Sequence, residues 1–317
     1  MIDLHVKFAI VAASAWIVTR RVTPSNAASA HHLWVAVAAS PLLWLAGEWM
    51  FAPLAYAGLR EGLLPAVIAS PSRQIWTVVA AVYVSVAALL LGRVCIGVLS
   101  VRRLIAASRP LHTVDRVRLP LASGTVREAE LDVPVTAGFF RPVILLPSTW
   151  RRLPADGLEA ILRHEWAHVR RRDCAVTLIC AIVESLLWVN PFAWLATRQV
   201  RWFAEMACDA EASRGMDGQA YASELLALAT AWRGTRTPLY AITAGVETNV
   251  VRRIDLLLDD LERGRRRRLS LPAIAALLLV AIPLSGNVRF GSVAASAPSM
   301  ESFDAGHGFT HQLRHRH

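Results

Sequence analysis

Long apolar stretches dominate the first hundred residues of the chain and return near its end. A helix needs roughly 20 mostly apolar residues to cross the hydrocarbon of a bilayer. Four stretches approach that length. We predict transmembrane helices at about residues 4–19, 33–56, 75–99 and 269–285. The pattern therefore predicts a mostly α-helical, integral membrane protein.

The region between the third and fourth predicted helices, residues 102–268, is long enough to form one domain. In its first part, valine and leucine alternate with polar residues and are interrupted by proline and glycine, which predicts short strands. These strands are expected at residues 117–121, 133–135 and 143–146. Its second part is helical, and Asp156 with Glu159 resembles a capping pair that opens a helix. We predict an α+β domain inserted before the last membrane helix.

Composition and charge place this domain relative to the membrane. The chain is 55% hydrophobic and carries a net charge of +10, and 25 of its 34 basic residues lie between Arg102 and Arg268. Basic residues are enriched on the cytoplasmic side of membrane proteins. The domain is therefore expected in the cytoplasm, with both termini outside the cell membrane. The run Arg265–Arg268 is interpreted as a topology signal next to lipid headgroups, and no direct nucleic-acid binding is predicted.

The two ends of the chain carry their own expectations. The apolar run near the N-terminus has no small-residue cleavage site behind it, so we expect a retained helix and not a signal peptide. Residues 286–317 are expected to form a short, disordered tail outside the cytoplasm.

The sequence His164-Glu165-Trp166-Ala167-His168 lies within the predicted helical part. Side chains four residues apart share one helix face, so both imidazoles can reach the same metal ion. Zinc binds imidazole nitrogen and carboxylate oxygen, and a catalytic site keeps one position open for water. Glu165 follows the first histidine and can accept a proton from that water. The motif predicts one Zn²⁺ per chain, with His164 and His168 as ligands and Glu165 as the catalytic base.

Two histidines leave a third ligand to be found. Glu205 is the preferred candidate, because Asp209 follows four residues later on the same helix face, where it can orient a ligand from behind. The alternatives are Glu211, Glu184 and His112.

A shared metal ion restricts the path of residues 174–197, which are apolar enough to resemble another membrane helix. If this segment crossed the membrane, His168 and Glu205 would lie on opposite sides. We therefore expect a helix buried against the bundle, or a hairpin that turns near Asn190-Pro191.

Several motifs in order resemble the M56 family of membrane metallopeptidases, the BlaR/MecR-type antirepressor proteases. They are His164–His168 followed by Arg172-Asp173, then Trp188–Phe192, then Glu205–Asp209, preceded by the segment Val133–Pro147. The resemblance implies four membrane helices and a gluzincin-type zinc domain in the cytoplasm of a bacterial cell, at its inner membrane. It also implies that His164, His168 and Glu205 bind zinc and that Glu165 is the general base.

The same resemblance implies a regulated protease whose substrate is a cytoplasmic transcriptional repressor, the chain itself, or both. Sensor members of the family carry a β-lactam-binding domain after the last helix, and no S-x-x-K motif of such a domain is found here. Direct β-lactam sensing is therefore not expected, and a separate sensor protein or a homodimer stays open. Two alternatives also stay open: a quality-control metallopeptidase similar to the HtpX type, and a non-catalytic, zinc-containing signal transducer.

Overall fold

A computed structural model of the protein describes residues 2–57, 72–111, 125–231 and 250–263. Three helices come first: α1 Ile2–Thr19, α2 Ala27–Ala57 and α3 Ser72–Ala107. Four strands follow: β1 Arg109–Pro110, β2 Val126–Ala129, β3 Val135–Ala137 and β4 Val143–Pro147. Five more helices complete the described chain: α4 Ala155–Arg171, α5 Asp173–Leu186, α6 Pro191–Ala212, α7 Gly218–Ala231 and α8 Val250–Arg263. The fold is thus mostly helical, with one small sheet.

Some predicted features fall outside the described residues. They are the fourth membrane helix at 269–285, the tail at 286–317, the strand at 117–121, the run Arg265–Arg268 and the alternative ligand His112. The four-helix membrane layout therefore stays a prediction.

Within the described ranges, one helix is long and apolar enough to cross a membrane, residues Gln74–Ala107 of α3. The apolar helix Leu4–Thr19 is shorter. Large apolar side chains of α3 are exposed; Leu89, for example, is 74% exposed. Because the core helix of a soluble protein would bury such side chains, their exposure favours contact with lipid.

Helices α1, α2, α5 and α6 pack together around one apolar core. Its fully buried members include Phe8, Trp34, Cys180 and Val183. The indole nitrogen of Trp34 donates a hydrogen bond to Thr19 Oγ1 at 2.9 Å, which joins α2 to the end of α1. The N-terminal helices are therefore one unit with the helices that carry the candidate site.

Residues 174–197 form most of a helical hairpin. Helix α5 ends at Leu186, and α6 begins at Pro191, after Asn190. The Asn190 side chain accepts a hydrogen bond from the Phe192 backbone N–H at 3.0 Å, and proline fits the first turn of a helix. The predicted turn near Asn190-Pro191 is confirmed. The turn lies beside α3, where the Tyr83 hydroxyl donates to the Leu186 carbonyl.

The sheet has the strand order β1-β2-β4-β3, with β2 parallel to β4 and the other pairs antiparallel. Ile144 and Leu146 of β4 pack in one apolar cluster with Leu162 of α4, and Leu145 packs in another with Val101 of α3. Because both faces are covered, β4 is apolar at nearly every position. The strand predicted at 143–146 is β4, whereas β3 shares only Val135 with the strand predicted at 133–135, and β2 was not predicted.

Helix α4 begins earlier than its predicted cap. Pro154 occupies the N-cap position without a side-chain hydrogen bond, and Asp156 lies inside the first turn. The capping pair Asp156/Glu159 is therefore wrong. A carboxylate in the first turn still interacts favourably with the positive end of the helix dipole.

Candidate metal centre

Helix α4 places His164 and His168 side by side, one turn apart. Their ring centroids are 4.9 Å apart, and their Nε2 atoms are 3.2 Å apart. Both side chains are only 14% exposed. The two imidazoles therefore converge on one point, as the sequence predicts.

Helix α6 brings a carboxylate to the same point. Glu205 Oε2 lies 3.6 Å from His164 Nε2, and Glu205 Oε1 lies 3.6 Å from His168 Nε2. Zinc at about 2.0–2.2 Å from tetrahedral donors would hold those donors about 3.4 Å apart. The three side chains are thus close enough together to hold one zinc ion, and among the described residues no fourth donor joins this group.

The other ring nitrogen of each histidine also has an acidic partner. His164 Nδ1 lies 3.0 Å from Asp209 Oδ1, and His168 Nδ1 lies 2.8 Å from Asp173 Oδ2. Carboxylates in these positions fix the ring tautomer so that Nε2 keeps a free lone pair for a metal. Asp209 thus lies where the sequence predicts, behind His164. Asp173 was noted only as part of a motif.

The backbone explains how Asp173 reaches His168. Arg172 adopts a left-handed conformation with φ +58°, and among the described residues it is the one non-glycine residue with positive φ. This conformation costs a non-glycine residue about 1–2 kcal/mol. It reverses the chain between α4 and α5 in a single residue, which returns the first side chain of α5 to the end of α4.

Glu165 extends from α4 toward the sheet. Its Oε2 lies 2.6 Å from the hydroxyl of Thr136 on β3, which donates the hydrogen bond. That bond holds one oxygen of the carboxylate and leaves the second oxygen without this restraint. No local pattern pointed to Thr136, because it lies 29 residues from Glu165 along the chain.

Arg253 of α8 contacts two acidic residues of the site and was not predicted from the sequence. Its guanidinium donates to both oxygens of Asp209, at 2.7 and 2.6 Å, and lies 2.9 Å from Glu205 Oε2. It is 7% exposed. One signal was available: Arg253 shares the buried stripe of an amphipathic helix with Leu257, and a buried charge requires a partner.

Tyr221 of α7 completes this side of the site. Its hydroxyl donates to Asp209 Oδ1 at 2.8 Å and lies 3.2 Å from His164 Nδ1. Asp209 therefore receives bonds from three different helices, so its position behind His164 is strongly fixed.

The charges of the site favour a cation. Burial opposes ionisation of Glu205, but Arg253 and the two imidazoles outweigh it and lower the pKa of this carboxyl to about 2. The pKa of Asp209 is lowered as well, against the effect of burial, chiefly by Arg253. Burial lowers the pKa of His164, but hydrogen bonds with Asp209 and Glu205 raise it further than burial lowers it. The carboxylates thus stay ionised around the histidines.

The remaining candidates from the sequence lie elsewhere or fit less well. Glu211 pairs with Arg170, and Glu184 accepts from Thr197 and lies 3.6 Å from Arg201. A second group of possible donors joins His168 and Asp173 to Cys208. Burial raises the pKa of the Cys208 thiol to about 11, and zinc binds the thiolate, so this group fits zinc less well.

The Arg253 contacts give a prediction about stability. Arg253→Lys keeps the charge but loses the planar fork that binds Asp209 through two atoms, so we expect the free energy of unfolding to fall by about 1–2 kcal/mol. Thermal unfolding of the metal-free protein measures it. Arg252→Lys is the comparison at the exposed neighbouring position; its guanidinium lies 5.0 Å from the centre of the Trp202 ring, a contact worth only about 0.5–1 kcal/mol, so a smaller loss is expected. Equal unfolding temperatures for the two variants would contradict a stabilising role of the bonds from Arg253 to Asp209.

Known proteins are similar to this chain over part of its length. A sequence model described as BlaR1 peptidase M56 matches residues 62–257, more than half of the chain. The Regulatory protein BlaR1 of Bacillus licheniformis is 29% identical over 84 residues. That match covers 26% of this chain and 14% of the relative's length.

Proposed function

Because the chain belongs to the M56 peptidase family, we propose that it is a membrane-bound zinc metalloendopeptidase that hydrolyses peptide bonds of a protein substrate. The observation that carries the proposal is the triangle formed by His164, His168 and Glu205, with Glu165 following His164 directly on the same helix. Three protein donors, all that the described residues offer to this group, leave one position open, whereas a structural zinc site is closed by four. This arrangement favours catalysis over a purely structural zinc.

Each side chain of the site then has a role. Zinc held by the three ligands would supply a Lewis acid that lowers the pKa of water. Glu165 accepts a proton from the attacking water and passes it to the amine of the leaving peptide. The Thr136 hydroxyl keeps the Glu165 carboxylate in place for both transfers. Asp173 and Asp209 hold the imidazoles in the tautomer that binds metal through Nε2.

The edge of the sheet offers a place for the substrate. β3 pairs with β4 on one side, and no other described strand pairs with its second side. An extended peptide can add to such an edge through backbone hydrogen bonds. Because Thr136 of β3 touches Glu165, a peptide bound along this edge would pass the catalytic base. We propose that the substrate is an extended segment of a protein.

The cellular role proposed here follows from similarity. One apolar helix and the likeness to a Regulatory protein BlaR1 support membrane association and a role in signalling. We propose that residues 102–268 act in the cytoplasm at the inner membrane, with both termini outside. We also propose a repressor, the chain itself, or both as substrates.

Metal removal tests the proposed activity. Protein purified in detergent should contain about one zinc per chain and should cleave fluorescein-labelled casein or itself, as followed by mass spectrometry. A chelator should abolish cleavage, and added Zn²⁺ should restore it. Zinc should also raise the unfolding temperature, since a ligand at 100 times its Kd stabilises by about 2.7 kcal/mol. Protein that holds no zinc would contradict the proposal, and one zinc without any cleavage would favour the non-catalytic transducer.

A further inference from the structure

A second histidine position lies close to the metal centre, on an N-terminal helix. His31 of α2 is 3% exposed, and among the described residues neither of its ring nitrogens has a hydrogen-bond partner. A buried polar group without a partner costs about 1–3 kcal/mol and therefore requires an explanation. The next residue, His32, is exposed.

The ring of His31 faces the carboxylate that holds His168. Its Nε2 lies 3.6 Å from Asp173 Oδ1, and that oxygen also has no hydrogen-bond partner among the described residues. The other oxygen, Oδ2, receives His168 Nδ1 at 2.8 Å and Arg171 Nε at 3.3 Å. An approach of about 0.5 Å would turn the His31–Asp173 contact into a hydrogen bond.

Such a bond would act on the orientation of the carboxylate. With one oxygen held, the carboxylate of Asp173 can still turn about its Cβ–Cγ bond. A donor on the second oxygen prevents that turn and keeps Oδ2 on His168 Nδ1. Because the imidazole orientation depends on this partner, the affinity of Nε2 for a metal depends on it too.

The N-terminal helices also touch the other side of the site. Ser25, just before α2, donates a hydrogen bond to Asp260 of α8 at 3.1 Å. Helix α8 also carries Arg253, whose guanidinium lies 2.9 Å from Glu205 Oε2. Because α1 and α2 share one core with α5 and α6, α2 packs against the helix of Asp173 and against the helix of Glu205.

We propose that His31 is a positioning residue of the metal centre: it acts through Asp173 on His168, so that the position of α2 sets the metal affinity of the site. This inference rests on the proposed zinc site. It assigns to the N-terminal helices a direct route by which movement in the membrane region changes the metal centre.

Variants at residue 31 test the proposal through zinc affinity and the absorption spectrum of the Co²⁺-substituted full chain. His31→Leu removes the donor at similar volume, and His31→Gln keeps an N–H donor. Outer partners of metal ligands typically contribute about 10- to 100-fold in affinity. We expect that loss for Asp173→Asn, and about a 3- to 10-fold loss for His31→Leu, since its effect passes through one more residue. His31→Gln should restore affinity and spectrum, and His32→Leu should match wild type.

A double-variant comparison shows whether the effect passes through Asp173. In the Asp173→Asn background, His31→Leu should cause almost no further loss, because residues that act as one unit are not additive. If His31→Leu does not fold, His31→Asn replaces it, since its shorter side chain cannot reach the carboxylate. Suppose that the wild type binds zinc and that His31→Leu, or His31→Asn in its place, has the same zinc affinity and the same Co²⁺ spectrum as His32→Leu. That result would overturn this inference alone. A wild type without zinc affinity would overturn the proposed function and the inference together.

Discussion

Glu165→Gln is expected to lower peptide hydrolysis by about 10²- to 10⁴-fold and to leave the zinc content unchanged. Glutamine has nearly the same shape, and its amide oxygen can still accept the Thr136 hydroxyl that lies 2.6 Å from Glu165 Oε2. It cannot take a proton from water. The three proposed zinc ligands, His164, His168 and Glu205, are untouched by the change. Cleavage under single-turnover conditions and zinc content, measured on one preparation, check both parts of the expectation.

The matched control lies on the same helix. Glu159 of α4 is exposed and pairs with Arg163 one turn later, so Glu159→Gln changes a carboxylate of the same kind outside the site. It should keep wild-type cleavage. If Glu165→Gln kept full cleavage as well, Glu165 would not be the base. If it kept full signalling in cells without any cleavage, the chain would act as a transducer and not as a protease.

The sequence was sufficient where the chemistry lies within one helix. His164 and His168 meet because they are one turn apart on α4. Glu205 and Asp209 are in the same relation on α6, and the structure brings both to the histidine pair. Their spacing needs no knowledge of the fold. The one long-range step was the choice of Glu205 as third ligand, and the expectation that residues 174–197 do not cross the membrane followed from that choice.

The sequence was insufficient where partners come from distant parts of the chain. Arg253 is 44 residues from Asp209 along the chain. His31 precedes α3 and the sheet in the sequence, whereas Asp173 follows them. No local spacing connects such residues. A polar residue on an apolar stripe signals that a partner exists, but it does not identify the partner. The sequence carries even less signal for Tyr221 and Thr136, since both residue types are common in packed structure without any role in a site.

The limits of the fold prediction have similar causes. The hairpin turn at Asn190-Pro191 was predicted because its signal is local: a capping side chain followed by a proline. The predicted start of α4 was wrong because Pro154 occupies the N-cap position and the helix begins at Ala155, so Asp156 lies inside the first turn. The strand β2 was missed because Val126–Ala129 contains Arg127 and Glu128, whose neighbours in β1 and β4 could not be known in advance.

Glu205→Ala should lower the affinity for zinc by more than the roughly 100-fold that loss of an outer partner can cost, because it removes one of three protein donors. The fold should persist, since Arg253 keeps both of its bonds to Asp209. Glu211→Ala is the control: it lies on the same helix and its carboxylate pairs with Arg170. Competition with a zinc chelator measures both affinities.

If Glu211→Ala lost zinc and Glu205→Ala kept it, the third ligand would be wrongly assigned. If both kept zinc and Cys208→Ala lost it, the ion would bind the group of His168, Asp173 and Cys208, on the opposite nitrogen of the His168 ring. The three variants thus distinguish a zinc site of His164, His168 and Glu205 from one of His168, Asp173 and Cys208.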